Sequence, residues 1–262
     1  MKRIISILLL LAVALCGCRR IDGDEGKDTQ PVLNVEYVTD DGEGSEEDDT
    51  LIICLDAGHG FGDVGCSSSY LGCYEYEVTI DVVKRIEKAF LDMDVEVILT
   101  HDGETYPDEA ELIKKLKKHK IEYKPEGIVD NEIYSAYERA MYEEILVREK
   151  GIDFFLSIHV NSVEHAEYVD GYELYYCNSN PHRTDLQLFG EKLNGILDNE
   201  VKTVGYDYED AYIVTKYTKI PSVLLEIGYA TNPEDARKMN DDAWKDSLAD
   251  DLAQEIMNYI NK

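Results

Sequence analysis

The chain has 262 residues, with 55 acidic against 26 basic side chains, a formal charge of −29, and 44% hydrophobic residues. Such a composition supports a packed core and excludes a disordered or collagen-like chain, while the acid excess argues against nucleic acid as a partner, which calls for a basic face. The charge is unevenly spread: residues 1–20 carry four bases and no acid, residues 21–50 carry twelve acids and one base, and the remainder from Leu51 onward keeps −22.

Lys2 and Arg3 precede an apolar run over residues 4–15, the length of a signal sequence and too short to cross a bilayer as a helix. It ends in Leu15-Cys16-Gly17-Cys18, which resembles the bacterial lipoprotein signal, with Gly17 as the small residue before the lipidated cysteine. Residues 1–18 are therefore expected to be a signal peptide. Lipidation of Cys18 would hold the exported chain on the outer face of the cytoplasmic membrane, its only membrane contact. Residues 19–50 turn to Gly, Asp, Glu, Ser and Thr, broken by Val32-Leu33-Asn34-Val35, and are expected to form an acidic flexible tether. Without an internal repeat, residues 51–262 are expected to be a single catalytic domain.

Within that domain short apolar runs alternate with amphipathic stretches, the pattern of an α/β fold with a largely parallel central sheet and helices on both faces. Strands are predicted over 51–55, 95–99, 154–158, 171–177 and 223–227, and helices over 75–90, 131–150, 185–198 and 245–260. Three strands run out into polar residues that a core does not tolerate: Asp56-Ala57-Gly58-His59-Gly60, Ser157-Ile158-His159-Val160-Asn161, and the last strand, which carries Glu226 inside Val-Leu-Leu-Glu-Ile. Open α/β sheets place their sites at such strand ends. A buried, unpaired glutamate costs several kcal/mol, on the order of what forces an acid to shift its pKa or find a cation, and a metal would supply that cation.

Two histidines and a carboxylate are a common catalytic zinc set, with the fourth position left for water. His59 and His159 come from separate strand ends. Glu75 starts a helix and shares the face of Val78 and Val82, so it is the preferred carboxylate; Glu77 shares its face with Ile80, Asp81 and Lys84 and is the wetter alternative.

These segments resemble the zinc-dependent N-acetylmuramoyl-L-alanine amidases, the type-3 amidase catalytic domain, from Leu51 to about Ile260. Leu55-Asp56-Ala57-Gly58-His59-Gly60 with Asp63 and Gly65 resembles the opening motif, Glu75 with Val78, Ile80 and Val82 the glutamate-initiated helix, and Ser157 to Asn161 the motif of the third ligand. Residues 221–229 followed by Thr231-Asn232-Pro233-Glu234 resemble the catalytic-glutamate segment. The resemblance implies one zinc per chain on His59, Glu75 and His159, Glu226 as the catalytic proton carrier, and cleavage of the bond between N-acetylmuramic acid and L-alanine in peptidoglycan. Asn161 and Arg139 are candidate substrate contacts, and a protein activator is left open.

The chain departs from the family at three places. Phe61 replaces a usual glycine, His101 a usual arginine, and a Lys-rich insertion (Lys114, Lys115, Lys117, Lys118, Lys120, Lys124) precedes Ser135-Ala136-Tyr137-Glu138-Arg139, which resembles a family helix. That insertion reads either as a clamp for an anionic glycan or as a solvated helix with Leu112, Ile113 and Leu116 packed down. Export also allows Cys66 and Cys73 a disulfide across a short loop. The alternatives are a non-catalytic or autoinhibited lipoprotein of the same fold, and a zinc peptidase acting on the stem peptide.

Overall fold

β-Branched and leucine-rich runs, apolar on both sides, form strands only where both sheet faces are covered. The computed structural model describes residues 50–105, 109–121 and 136–262, so the expected signal peptide, Cys18 and nearly all of the expected tether lie outside the described residues, as do Lys124 and Ser135. Six strands form one sheet: β1 (Leu51–Ala57), β2 (Val95–Leu99), β3 (Phe154–Asn161), β4 (Tyr172–Cys177), β5 (Val201–Tyr206) and β6 (Ser222–Tyr229), in the order β2-β1-β3-β6-β4-β5. The strands β2, β1, β3 and β6 are parallel, as expected, whereas β4 runs antiparallel to β6 and carries β5 parallel to itself. Strand β5 was not anticipated: Val-Lys-Thr-Val-Gly-Tyr is short and half polar, and it forms as an edge strand on β4.

Side-chain alternation divides the core. Ile53, Leu55, Leu156, Val223 and Leu225 pack with α1 (Glu75–Ala89), α4 (Arg183–Ile196) and α7 (Asp242–Ile260). Ile52, Cys54, Phe155 and Leu224 face the opposite layer, which contains Leu146 of α3 (Ala136–Lys150) and Val214 of α5 (Ile213–Lys216). The insertion supplies α2 (Glu109–Lys118), whose Leu112 and Leu116 are buried against Met141 and Ile145 of α3. Lys115, Lys118 and His119 gather on Glu149, so this helix is packed down as a solvated amphipathic element. The short helix α6 (Pro233–Met239) starts at Asn232, whose side chain accepts from Glu234 N and Asp235 N at 2.8 and 3.0 Å, with Pro233 in the first turn.

Helix α3 is less apolar than its position suggests. Arg139, 1% exposed, pairs with Asp56 Oδ1 at 3.0 Å, and Asp56 also accepts from Thr100 and Ser157 hydroxyls at 2.6 Å each. Burial opposes the Asp56 charge, but Arg139 and these hydroxyls hold its carboxyl below the usual range. One turn further, Glu143 and Glu144 are buried too. Burial and the neighbouring acids push Glu143 well up, and burial pushes Glu144 up to about 7 despite Arg148 and Lys219. A raised folded-state pKa means stability that is fully present below the unfolded value and falls as pH rises through the folded one. Glu144→Gln is accordingly expected to stabilise the fold by about 1–3 kcal/mol at pH 8 and to leave it nearly unchanged at pH 4, read by denaturant unfolding at both pH values.

Candidate active site and metal centre

At the carboxyl end of β1 the backbone turns through four successive left-handed residues, His59 (φ 69°), Gly60 (101°), Phe61 (50°) and Gly62 (106°). For non-glycine residues this conformation costs on the order of 1–3 kcal/mol and persists only where contacts hold it. Both nitrogens of the His59 imidazole are held: Nδ1 lies 2.5 Å from Asp63 Oδ2, and Nε2 lies 3.1 Å from Glu75 Oε1. Two glycines make room. A Cβ at Gly58 would overlap the His159 ring, and one at Gly65 (φ 65°) would fall 2.6 Å from Glu75 Oε2 and 2.8 Å from His59.

Glu75 opens α1 and is buried, whereas Glu77 is exposed and its carboxylate accepts from Tyr74 N at 2.8 Å. The choice between the two glutamates follows the helix faces read from sequence. Glu75 Oε1 accepts from Val160 N at 2.8 Å and lies 3.2 Å from His159 Nδ1, while Oε2 accepts from Cys66 N at 2.8 Å. Burial works against the Glu75 charge, yet His59 and His159 hold its carboxyl far below the ordinary range. Burial likewise opposes a charged His59, but Glu75 and Asp63 raise it to about 10. In His159 burial prevails and lowers the imidazole from its ordinary value.

His59, Glu75 and His159, all buried, each offer one ligand atom, and these atoms lie within 4.8 Å of one another. A carboxylate shared by two buried imidazoles calls for positive charge at that point. The donor set is that of a catalytic zinc, with His59 Nε2 and His159 Nδ1 lying 3.1 and 3.2 Å from the same Glu75 oxygen. Asp63 accepts from His59 Nδ1, which leaves Nε2, 3.1 Å from Glu75 Oε1, as the nitrogen a metal would bind on displacing its proton. The three residues therefore fit such an ion.

The remaining candidates fall around this trio. Glu226 is buried on β6 as the Cα partner of His159 on β3. Asn161 ends β3 and donates from Nδ2 to Glu173 Oε2 at 2.8 Å. Arg139 is 1% exposed and pairs with Asp56 Oδ1 at 3.0 Å. The disulfide is also absent, since Cys66 and Cys73 are free thiols and the buried Cys66 Sγ donates to Val160 O at 3.3 Å. Hydrogen bonds hold that loop instead, from Ser68 Oγ to Ala230 O and from Asn240 Nδ2 to Leu71 O at 2.9 Å. Two of the departures from the family pattern touch each other: the Phe61 ring meets His101 edge-on at 5.2 Å, and His101 Nε2 donates to Ala57 O at 2.7 Å.

Two functional neighbours escaped sequence reasoning. Asp63 orients His59, and its spacing of four residues within a glycine-rich turn was the available signal. Glu173 is the other. Like Glu226, it is an acid at an inward position of a buried strand, within Tyr-Glu-Leu-Tyr-Tyr-Cys.

Comparison with known proteins bears on the family and the fold. The chain is 24% identical over 216 residues to the germination-specific N-acetylmuramoyl-L-alanine amidase of Bacillus subtilis, covering 80% of each. It is 27% identical to the amidase LytC of the same organism, covering 79% of this chain and 35% of that one. The catalytic domain of CwlV, an amidase from Bacillus (Paenibacillus) polymyxa, superposes with a TM-score of 0.59 at 21% identity, over 81% of this chain and 99% of that domain. A family model for N-acetylmuramoyl-L-alanine amidase matches residues 53–258, from the middle of β1 to the last turn of α7, and the chain belongs to that family.

Proposed function

We propose that this protein hydrolyses the amide between the lactyl group of N-acetylmuramic acid and the first L-alanine of the peptidoglycan stem, using one zinc ion on His59, Glu75 and His159. The observation that carries the reading is the buried His–Glu–His trio with Glu226 one strand away from His159. When bound, zinc lowers the pKa of a water and polarises a carbonyl. The chain's own residues do the rest. Asp63 fixes the His59 tautomer, and the backbone N–H groups of Cys66 and Val160 hold the Glu75 carboxylate in place. Glu226 takes the proton of the attacking water and delivers it to the departing alanine amine, a transfer worth about 10²–10⁴ in rate. Lipidation at Cys18 and a tether over 19–50 would bring this domain to the wall from the outer face of the membrane, consistent with the acidic composition of that segment.

Purified protein incubated with peptidoglycan and zinc is expected to release stem peptides with a free L-alanine amine, identified by mass spectrometry. New termini inside the stem would overturn the reading in favour of a peptidase. Glu226→Gln is expected to lower turnover by about 10²–10⁴ while keeping one zinc per chain. Asp63→Ala is expected to weaken zinc binding by about 10–100-fold in a chelator competition titration, with the fold retained by circular dichroism.

A further inference from the structure

Strand β1 ends at Ala57, two residues past Leu55, which pairs with Leu99 at the end of β2. The last backbone rung between these strands runs from Thr100 N to Leu55 O at 2.9 Å. Alternate carbonyls of a strand point to the same neighbour, so Ala57 O is the next acceptor on that edge. A buried carbonyl there needs a donor. His101 supplies it from its side chain: Nε2 donates to Ala57 O at 2.7 Å, and the residue is 5% exposed. The imidazole thus extends the β1–β2 pairing by one rung, to the point where the chain leaves the sheet for His59.

The same ring meets the turn twice more. Phe61 packs edge-on against it at 5.2 Å, and a Cβ at Gly60 would fall 3.3 Å from His101 Cε1. Phe61 stands at φ 50°, in the left-handed region where a bulky side chain is costly and glycine is not. Such a conformation persists only where its surroundings enforce it. Within the turn, Gly60 N donates to Asp63 O at 2.8 Å and Asp63 N to Gly60 O at 3.1 Å, so Phe61 lies inside the small loop that connects His59 to Asp63. Asp63 is the acid that holds His59 Nδ1. A change of φ at Phe61 therefore moves the first candidate ligand and its orienting carboxylate relative to each other.

We propose that His101 is a positioning residue for the metal centre: by packing on Phe61 and bonding to Ala57 O it keeps Phe61 left-handed, and so keeps His59 and Asp63 in the arrangement that receives zinc. The proposal rests on the zinc site of His59, Glu75 and His159. Phe61 and His101 form one unit, in which the first residue strains the turn and the second holds it. The support comes from the end of β2, an element that contributes no ligand of its own.

The test measures the zinc affinity of the full chain by chelator competition, beside the melting temperature of the metal-free protein. Phe61→Ala and Phe61→Gly both remove the ring that meets His101, but only glycine also removes the cost of the left-handed conformation. Phe61→Gly is expected to bind zinc within twofold of wild type and Phe61→Ala fivefold or more weaker, with both melting near wild type. His101→Ala is expected to weaken zinc binding fivefold or more, and adding Phe61→Gly to it to recover at least threefold. A purely structural role for His101 would lower the melting temperature without that recovery. Equal zinc affinities for Phe61→Ala and Phe61→Gly, or a double variant that binds no tighter than His101→Ala, overturn the proposal. If His101→Ala does not fold, the two Phe61 variants decide alone. A wild type that binds no zinc overturns the metal reading itself, whereas a wild type that binds it beside two equal Phe61 variants overturns only the role of His101.

Discussion

The carboxylate of Glu75 is the point on which the active end of the sheet depends. Its two oxygens take a backbone N–H from the β1–α1 loop and another from β3, and one of them lies against imidazoles from both strand ends. A charge taken out of water costs several kcal/mol unless it is paired and hydrogen-bonded. Here the pairing joins three separate pieces of chain. The N-terminus of α1, the left-handed turn after β1 and the end of β3 are each placed by meeting the needs of one buried anion.

The same economy of charge extends behind the site. Asp56, on β1 three residues before His59, is paired with Arg139 and two hydroxyls, so α3 is locked to the strand that leads into the His59 turn. Beyond it Glu143 and Glu144 are buried on the same helix, which explains why α3 shows so little apolar asymmetry for an enclosed helix. An acidic protein of this size thus carries some of its acids inside, as groups whose protonation differs between folded and unfolded chains. Phe61 and His101, each a departure from the family pattern, are in contact, and His101 ties the turn back to Ala57. The departures are therefore one local repacking beneath the His59 turn.

Much of the fold was legible because its signals are local. Apolar runs bounded by turns marked five of the six strands, and a 3.6-residue stripe put Glu75 on the inward face of α1 and Glu77 in solvent. Leu112 and Leu116 likewise announced the packed side of α2. Strand β5 was not legible, because a half-polar edge strand has no periodic apolar signature. The burial of Arg139 was missed for a different reason: a guanidinium in a helix reads as solvent-facing until an acid on another element, here Asp56, is brought against it. The disulfide that export would allow between Cys66 and Cys73 is left open by sequence for a similar reason, since the contact of Cys66 with Val160 lies on a strand far away in sequence.

What the sequence by itself determined is the identity of the groups and the elements that carry them: His59 just past a strand end, His159 and Glu226 at strand positions where polar residues are costly, and Glu75 on a buried helical face. Residue type and periodicity are properties of the chain and survive without a fold. Only the tertiary structure decided how those groups meet. The reversal of β4 against β6 sets Glu173 beside Glu226, and the left-handed turn brings Asp63 to His59. Register, strand direction and the sharing of a buried charge are relations between distant segments, set by the packing of both sheet faces at once, and no local pattern contains them.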